Sequence, residues 1–403
     1  MLKKVGLVAV LAALISVIVA TTALGSGRTP ARLAASSVKC GKKVNIGVAY
    51  PATGGVAFLG TTQIDWAKYA QNRWNKSHKL KINLVQGDTQ LTTNAAANIA
   101  VAHSFASNGK LLAVTGPAGS QEVQDSNAIY AAAGLANVSG SATRIFLTRA
   151  KGNDSRETKK GFFFRTVPND GQQGDRVANF IHKTLKLKHV YIIDDEEAYS
   201  QGLADQVQQD LAKAGVNAGR NHVAQNLSDF SSVIAAIPSN TQIVYIPWQQ
   251  AAEAQTFAQQ LKQGRPNAKV MGSDGIDVPG QFEAHGAYVS GFPVDFNSPV
   301  VTAFTKAHKG QSETFGLPSY TSVWVNATAI QMACKAGHGK TNRTAVRKDL
   351  LKVKLSAKAS VLGFPVKFLN GNKGGYQGAG DMGGSADFAI FKINNSGKYV
   401  NVG

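Results

Sequence analysis

The sequence predicts an α/β protein of two lobes, each built on a parallel central sheet that is covered by helices. Short β-rich runs alternate with longer helical patterns along most of the chain, and this alternation is typical of βαβ units. A length of 403 residues exceeds what one ordinary core supports, which favours two domains or lobes. The strand candidates are also too many for one compact sheet.

The strand candidates are short runs of β-branched, aromatic or other apolar residues. They lie at 44–49, 81–86, 111–115, 135–138, 162–166, 189–193, 221–224, 243–246, 269–271 and 287–290. The helix candidates are longer and repeat apolar residues at helical spacing. They lie at 62–74, 94–107, 122–133, 174–185, 200–214, 228–237, 249–263, 299–309, 319–336 and 344–351.

Three breaks in this pattern predict that the chain crosses between the lobes three times. The first break is the polar loop at 149–161, the second is SGFPVDFNSP at 290–299, and the third lies near SAKASVLGFPVKF at 356–368. The breaks define two expected lobes: 44–165 plus 293–358, and 166–292 plus 359–403.

The N-terminus has the pattern of a secretory signal peptide over residues 1–23. Lys3 and Lys4 precede an uncharged run from Val5 to Ala20, and small residues follow. The alternative is an uncleaved anchor, because a helix from Val5 to Leu24 could just span a bilayer. Residues 24–43 are expected to be a flexible lead-in. The protein is therefore expected to be exported to the periplasm or the outside, associated with the cell envelope.

The formal net charge is +19, which raises the question of nucleic-acid binding. The basic residues are scattered, and no basic motif interleaved with aromatic residues occurs. A solvated basic surface that suits an anionic envelope is the preferred interpretation. Two cysteines, Cys40 and Cys334, either form a disulfide, as exported proteins often do, or stay two unpaired thiols.

Enzymatic motifs are missing from the sequence. GHGKT at 337–341 resembles the end of a phosphate-binding loop, but Cys334 stands where that motif needs glycine. No G-x-S-x-G elbow occurs, and the histidines are dispersed without metal-ligand spacing. We therefore expect a protein that is not an enzyme, with no catalytic residues, metal or cofactor.

Two strand ends carry polar residues at places where a ligand could bind. Gly119 and Ser120 follow an apolar strand and open a helix, where backbone N–H groups and a hydroxyl favour an anion. Asp274, in MGSDG, places a carboxylate at the end of another strand. The alternatives are an ordinary N-cap at Ser120 and an ordinary Asp-Gly turn at Asp274.

Four consecutive acids, Asp194 to Glu197, follow another strand and precede a helix. Carboxylates at that place complement the positive N-terminal end of the helix. A metal site would need ligands that converge from several segments, and none is visible. We expect the four acids to form a solvated loop.

Eight segments, in order along the chain, resemble the branched-chain amino-acid binding proteins of ABC importers. They are VNIGVAYPATGGVAFLG, LLAVTGPAGSQEVQDSNAIYAAAGLANVSGSAT, FFFRTVPNDGQQG, VYIIDDEEAYSQGLADQVQQDLAKAGV, IVYIPWQQAAEAQTFAQQLKQ, VMGSDGID, SYTSVWVNATAIQMA and VLGFPVKF. The resemblance implies the type I periplasmic binding protein fold. That fold has two Rossmann-like lobes, joined by a three-strand hinge, that close on a small ligand.

The resemblance also implies roles for individual residues. Ser120, with Gly119, would hold the carboxylate of the ligand, and Asp274 would pair with its ammonium group. Further expected ligand contacts are Ser141, Ala142, Thr143 and Tyr199. Two positions depart from the family: Leu59 stands where an aromatic is common, and Gln249 stands where small or aromatic residues are typical. Trp248 is the alternative to Gln249 if the alignment shifts by one residue.

The expected function is that of an exported, monomeric solute-binding protein that delivers an amino-acid-like ligand to an ABC permease in the membrane. No nucleic-acid partner is expected. The alternative is a sensing module of the same fold, which would bind an amide, urea or aromatic acid without transport.

Overall fold

The computed structural model of the protein describes residues 37–41, 43–91, 95–149, 157–292, 298–308, 314–373, 375–383 and 387–403. The predicted signal peptide, and the lead-in up to residue 36, lie outside the described residues. Within the described ranges, no helix combines the length and apolarity that a bilayer span requires.

The first sheet contains five strands that all run parallel. They are β2 (Lys43–Tyr50), β3 (Lys81–Asp88), β4 (Leu111–Thr115), β5 (Asn137–Ser139) and β6 (Phe163–Arg165), in the order β3-β2-β4-β5-β6. The helices packed with this sheet are α1 (Ala57–Ser77), α2 (Ala96–Ser107), α3 (Ser120–Ala132), α8 (Pro299–Ala307), α9 (Gly316–Ala336) and α10 (Arg343–Leu350).

One apolar cluster fixes α1 and α9 on the same face of the first sheet. Buried residues recur along α1 at spacings of three and four, among them Trp66, Ala70 and Trp74, so one helix stripe faces the core. Trp66 stacks on Phe304 of α8 with ring centroids 3.8 Å apart. A second cluster, which includes Phe105 of α2, covers the opposite face of the sheet.

The second sheet contains five parallel strands and, at one end, two further strands that each pair antiparallel with their neighbours. They are β7 (Val190–Asp194), β8 (Ala218–His222), β9 (Ile243–Ile246), β10 (Lys269–Gly272), β11 (Tyr288–Gly291), β15 (Ala389–Ile393) and β16 (Tyr399–Asn401), in the order β16-β15-β11-β10-β9-β7-β8. Its helices are α4 (Asp170–Asn179), which continues as a π-helical turn at Phe180–Thr184, α5 (Ala198–Lys213), α6 (Ser231–Ala235) and α7 (Ala251–Gly264).

Successive residues of β7 point to opposite faces of the second sheet. Ile192 lies in the cluster that includes Leu203 of α5, whereas Ile193 lies in the cluster that includes Phe257 of α7. Burial on both faces is typical of parallel strands that are covered by helices. The prediction of two parallel α/β sheets is confirmed.

The remaining elements are short. They are β1 (Val38–Lys39), β12 (Lys340–Thr341), β13 (Lys354–Leu355), α11 (Ala357–Ser360), β14 (Val366–Lys367) and single-turn helices at Ile145–Leu147 and Asp274–Ile276. The sequence pattern did not predict the four strands among them, because two-residue strands carry almost no periodic signal.

The five parallel strands have the same relative order in both lobes. In each, the first strand in the chain lies between the second and the third, as β2 lies between β3 and β4, and β7 between β8 and β9. Ligands of such sheets bind beyond the carboxyl ends of the strands, where the strand order reverses. The ligand is therefore expected to bind beside the loops that follow β2, β4, β7 and β9.

The three crossings between the lobes follow β6, follow β11, and precede β15. A buried ion pair joins two of them, since Arg165 Nε lies 2.6 Å from Asp381 Oδ1. The rings of Phe292 and Phe388, at the second and third crossings, have centroids 5.1 Å apart.

The third crossing lies later in the chain than the sequence break near 358 suggested. Val361, Val366, Phe368 and Met382 belong to the apolar cluster of the first lobe, together with Trp66. The reason is a small antiparallel pairing of β13 with β14, which returns the chain to that lobe. The break in the sequence pattern at 356–368 therefore corresponds to this hairpin of the first lobe and not to a crossing between the lobes.

Residues 38–41, which the sequence assigned to a flexible lead-in, are part of the folded first lobe. Strand β1 pairs with β12, so that Lys39 lies opposite Lys340. Cys40 and Cys334 form a disulfide with an S–S distance of 2.11 Å, so of the two alternatives left open by the sequence the structure contains the bridge. It connects the N-terminal segment to the last turns of α9.

Candidate functional site

The candidate site lies between the lobes, where loops from both sheets meet. Several hydrogen bonds connect the lobes there, and two of them are made by the residues that follow Ser120 and Thr143. The backbone N–H of Gln121 in α3 donates to Glu197 Oε1 at 3.2 Å, and Arg144 Nη1 donates to the carbonyl of Ala198 at 2.6 Å. The predicted residues of the two lobes therefore face one another across this interface.

A Cβ at position 119 would lie 2.1 Å from Leu91 Cδ1, so that any residue other than glycine would require the Leu91 side chain to move. Gly119 precedes the first turn of α3, and its N–H donates to Glu122 Oε2 at 3.0 Å. The same oxygen accepts from the N–H of Ala118 at 3.1 Å. Glu122 thus caps its own helix, and the N–H of Gly119, which the sequence analysis expected to be open to a ligand, is already bonded within the protein.

Ser120 is the first residue of α3 and not its N-cap. Its Oγ accepts a hydrogen bond of 3.2 Å from the backbone N–H of Arg144, which follows Thr143. The hydroxyl therefore connects the start of α3 to the loop after β5. This contact disfavours the alternative in which Ser120 serves only as an ordinary cap.

The loop after β5 is held in place by its own hydroxyl groups. Ser139 Oγ accepts from the N–H groups of Ser141 and Ala142 at 3.2 and 2.9 Å. Ser141 donates to the carbonyl of Ala118 at 2.8 Å, so its hydroxyl connects two loops of the first lobe. Arg165 Nη1 donates to the carbonyl of Ala142 at 3.1 Å. These bonds fix the backbone on either side of Thr143.

Thr143 meets a carboxylate that the sequence analysis missed. The backbone N–H of Asp170 donates to the carbonyl of Thr143 at 3.0 Å, and both residues are fully buried. Within the described part of the chain, neither oxygen of the Asp170 carboxylate nor the hydroxyl of Thr143 has a hydrogen-bond partner of ordinary geometry, although the hydroxyl lies close enough to the carboxylate to stabilise its ionised form. Such groups are costly to bury without a partner, so they indicate a ligand at this point.

Burial raises the pKa of Asp170 to about 7, and the nearby charge of Asp274 adds to the rise. The Thr143 hydroxyl and the two guanidinium groups of Arg165 and Arg144 oppose it. A sequence signal for Asp170 did exist. Asn169 caps α4 by accepting from the N–H of Gly171 at 3.0 Å, so the helix begins at Asp170, four residues before the predicted start. The motif PND is typical of a turn, and here its last residue begins the helix.

Tyr199 and Asp274 supply the second lobe's part of the site. Tyr199 is buried near the start of α5, and Asp274 follows β10. Burial raises the pKa of the Asp274 carboxyl to about 6, and hydrogen bonds from Tyr199 and Gln173 limit the rise. The structure thus brings Thr143, Asp170 and Asp274 into one electrostatically coupled group. Gln173, on α4, is a further neighbour that the sequence analysis missed.

The expectation that Asp194 to Glu197 form a solvated loop is wrong. Asp194, Asp195 and Glu197 are buried, and only Glu196 is exposed. Asp194 forms an ion pair with Arg220 at 2.8 Å. Arg220 is distant in sequence from Asp194, and its charge compensates the burial of the Asp194 carboxylate.

Glu197 has two structural partners at the cleft besides Gln121. Its carboxylate accepts from the N–H of Tyr199 at 2.6 Å, which caps α5, and from Gln249 Nε2 at 3.4 Å. Burial, followed by the charge of Asp195, raises the pKa of Glu197 to about 8. No three of the described His, Cys, Asp and Glu side chains form a group suited to a metal ion.

Leu59 and Gln249 lie on different sides of the site. Leu59 belongs to a buried apolar cluster with Val56 and Leu91, and Leu91 is the residue that packs on Gly119. Gln249 is buried beside Glu197 in the second lobe. The alternative lining residue, Trp248, packs in the second-lobe core and donates to the carbonyl of Ile193 at 2.8 Å, so the structure favours Gln249.

A model of the periplasmic binding protein family matches residues 43–397. An amino acid binding protein of Pseudomonas aeruginosa is 27% identical over 374 residues, covering 88% of this chain and 91% of that protein. A leucine-, isoleucine-, valine-, threonine- and alanine-binding protein of the same organism is 27% identical over 312 residues, covering 73% of this chain and 79% of that protein.

Two solved structures share the fold over their full length. A leucine-binding protein of Thermotoga maritima has a TM-score of 0.76 at 20% identity, covering 89% of this chain and 98% of that one. A branched-chain amino acid transporter substrate-binding protein of Streptococcus pneumoniae was solved with isoleucine. It has a TM-score of 0.73 at 19% identity, covering 90% of this chain and 100% of that one. Both likenesses establish a type I periplasmic binding protein fold.

Proposed function

The chain belongs to the periplasmic binding protein family, and from this we propose that it captures an amino acid between its lobes and delivers it to an ABC permease. The family binds solutes, so the prediction that the chain is not an enzyme is confirmed. Membership in a periplasmic family also supports export. Cleavage of the signal peptide stays a prediction.

The observation that carries this proposal is the group of unpartnered polar atoms around Asp170. Ionised carboxylates accept hydrogen bonds and cannot donate them, and Asp170 and Asp274 are both buried at the same point. Two buried carboxylates without a bound cation are unfavourable. The α-ammonium group of an amino acid, with one positive charge and three donors, fits this position.

The carboxylate of the amino acid is proposed to lie near Ser120 and Thr143. Both hydroxyl groups belong to the first lobe, and the positive N-terminal end of α3 is adjacent. Because Glu122 already occupies the N–H groups of Ala118 and Gly119, the hydroxyl groups have a larger role than the sequence suggested.

Ligand binding is proposed to favour the closed arrangement of the lobes. The bonds of Gln121 with Glu197 and of Arg144 with Ala198 join opposite lobes beside the site. They can form only when the lobes approach each other. A ligand that contacts both lobes binds the closed form more tightly, and therefore shifts the equilibrium toward it.

The side chain of the ligand is proposed to be small and apolar or weakly polar. Leu59 and Leu91 supply apolar surface, and Gln249 supplies an amide. One relative is named for binding leucine, isoleucine, valine, threonine and alanine, and this range supports the same class.

A thermal-shift screen against amino acids, amides, urea and small carboxylates, including aromatic acids, tests the proposal. We expect a rise in Tm with one or a few α-amino acids and none with their deaminated analogues. Stabilisation by amides or aromatic acids alone would contradict it and would favour the alternative of a sensing module. Delivery is tested separately, by copurification of the ligand-loaded protein with a membrane permease.

A further inference from the structure

The positive charge of the protein is concentrated on one lobe. The described residues of the first lobe, within 37–165 and 298–383, contain 24 Lys and Arg against 7 Asp and Glu. Those of the second lobe, within 166–292 and 387–403, contain 11 against 14. The formal charge of +19 is therefore not a uniform property of the surface. Such an asymmetry favours a partner of opposite sign on the first lobe.

Many of these cations lie at the end of the first sheet that faces away from the cleft. Lys43 starts β2 and pairs with Lys81, which starts β3. Lys110 immediately precedes β4, whose first residue lies opposite Asn45. Because the five strands are parallel, their N-terminal ends share one edge of the sheet, and the ligand site lies beyond the other. An eight-residue strand separates the two edges by roughly 25 Å.

The N-terminal segment and the end of α1 add cations to the same edge. Lys39 lies opposite Lys340, one residue before the disulfide-bonded Cys40. Lys81 Nζ donates to the carbonyl of His78 at 2.7 Å, which places the end of α1 beside the start of β3. We define the basic pole as Lys39, Lys43, Lys76, Lys79, Lys81, Lys110 and Lys340.

The charges of the basic pole are uncompensated. All of its side chains are exposed except that of Lys81, which is half-buried. None of them forms an ion pair with another described residue, whereas Lys68 and Lys352 of the same lobe pair with Asp65 and Asp349. Seven like charges around one edge produce a positive potential that attracts an anionic surface.

The position of the N-terminal segment identifies which anionic surface fits. The chain enters the basic pole at Ser37, and the uncharged run Val5–Ala20 stands shortly before it in the sequence. The residues between them, 21–36, can span at most about 55 Å. In the anchor alternative of the sequence analysis, the basic pole is the part of the described structure nearest to that run along the chain; after cleavage, only the charges of the pole would hold the protein at the bilayer.

We propose that the basic pole lies against a bilayer that carries anionic lipids. Lysines near an anionic leaflet are each attracted to it, and the attraction fades within a Debye length. In this orientation the acidic second lobe lies away from the membrane, and the ligand site stands roughly 25 Å above the basic edge. The lipid surface would hold the protein near its permease and leave the cleft free.

Sedimentation with lipid vesicles tests the proposal on the exported form of the protein, without the predicted signal peptide at residues 1–23. The vesicles are phosphatidylcholine with or without phosphatidylglycerol, at low and high salt. The pole variant carries Lys39→Gln, Lys43→Gln, Lys79→Gln, Lys110→Gln and Lys340→Gln. The matched control has the same loss of charge on the second lobe, with Lys183→Gln, Lys188→Gln, Lys262→Gln, Lys269→Gln and Lys398→Gln, all exposed in the structure.

At low salt we expect the wild-type protein to bind the anionic vesicles at least about tenfold more tightly than the neutral ones. The pole variant should lose about tenfold or more of that binding, and the control should stay within about twofold. High salt should weaken the wild-type binding.

Equal binding to neutral vesicles, retained binding in the pole variant, or equal loss in both variants would overturn the proposal. Binding to single-stranded DNA without any preference for anionic vesicles would also overturn it. Amino-acid affinity and Tm should be the same in all three proteins. This control separates a failure here from a failure of the proposed function, and it shows that the variants are folded.

Discussion

The hydroxyl group of Tyr199 donates a hydrogen bond of 2.5 Å to Asp274 Oδ1. Ser273 Oγ lies 2.7 Å from the same hydroxyl, and all three residues are buried. An ionised carboxylate has about four acceptor positions, so Tyr199 orients Asp274 and leaves it able to accept from a ligand. The following predictions concern this carboxylate and the groups around it.

Replacing Asp274 with asparagine should weaken amino-acid binding by more than about tenfold, because a buried ammonium group would lose a charged partner. Isothermal titration calorimetry measures the effect. The matched control is Asp277→Asn, since Asp277 is also buried but contacts Thr314 Oγ1 at 3.1 Å. The control should stay within about threefold of the wild-type affinity. Equal affinity in Asp274→Asn and the wild type would refute the role of Asp274.

Asp170→Asn should have opposite effects on affinity and on stability. Affinity should fall by about tenfold or more, whereas the ligand-free protein should gain roughly 1 to 3 kcal/mol, because a buried carboxylate without partners is replaced by a neutral amide. Calorimetric titration and thermal melts measure the two quantities. A fall in both would mean that Asp170 stabilises the fold and does not belong to the ligand site.

The stability gain of Asp170→Asn should depend on pH. Folding raises the pKa of Asp170 from 3.8 to about 7, so the folded state binds the proton more tightly than the unfolded state. The stability of the wild type therefore falls as the pH rises between these two values. The gain in Tm should be larger at pH 8 than at pH 5. An equal gain at both values would exclude titration of Asp170 as its cause.

Amino-acid affinity should rise with pH between about 5 and 8. The pKa of Asp274 is raised to about 6 and that of Asp170 to about 7, and each must be ionised to pair with an ammonium group. The expected rise is about tenfold or more. The profile of Asp274→Asn should be flatter than that of the wild type. A pH-independent wild-type affinity would contradict the proposed role of both acids.

Ser120→Ala should weaken binding by roughly three- to tenfold, the worth of one hydrogen bond, and should lower Tm only modestly, because a single long bond from the N–H of Arg144 is lost. Ser126→Ala, on the same helix, is the matched control, because Ser126 donates to the carbonyl of Glu122 at 2.6 Å. It should lower Tm and keep the affinity. A clear loss of Tm with unchanged affinity in Ser120→Ala would show that Ser120 stabilises the helix and does not contact the ligand.

Reduction of the Cys40–Cys334 disulfide should lower the stability by about 2 to 5 kcal/mol, because the bridge connects residues 294 positions apart. Thermal melts with and without a reductant measure the loss. The double variant Cys40→Ser/Cys334→Ser should have the same Tm as the reduced wild-type protein, and its Tm should not change when reductant is added. A Tm that is unchanged by reductant in the wild type would contradict this account.

Much of the fold could be predicted from the sequence because strong periodic patterns mark buried elements. Strands such as β4 and β9 are continuous apolar runs, and their predicted bounds agree with the structure. The observed β8 starts at Ala218, three residues before its predicted start. Its sequence, AGRNH, lacks the apolar alternation that would have located it. Edge strands are weakly specified by pattern alone.

The site was predictable where a residue follows a strong strand, and not where its partners are distant in sequence. Ser120, Thr143 and Asp274 each follow such a strand. The burial of Asp194 depends on Arg220, and that of Glu197 on Gln121 and Gln249. None of these contacts is visible in a local pattern. Asp170 was missed for a related reason, because its importance comes from the loop of Thr143 that it faces.

The most direct test of the central claim is a calorimetric titration with a pair of matched ligands. One is the amino acid that gives the largest shift in Tm, and the other is the same compound without its α-amino group. The account predicts that the amino acid binds at least about a hundredfold more tightly, since Asp170 and Asp274 would be left unpaired with the analogue. Equal affinities for the two compounds would contradict it.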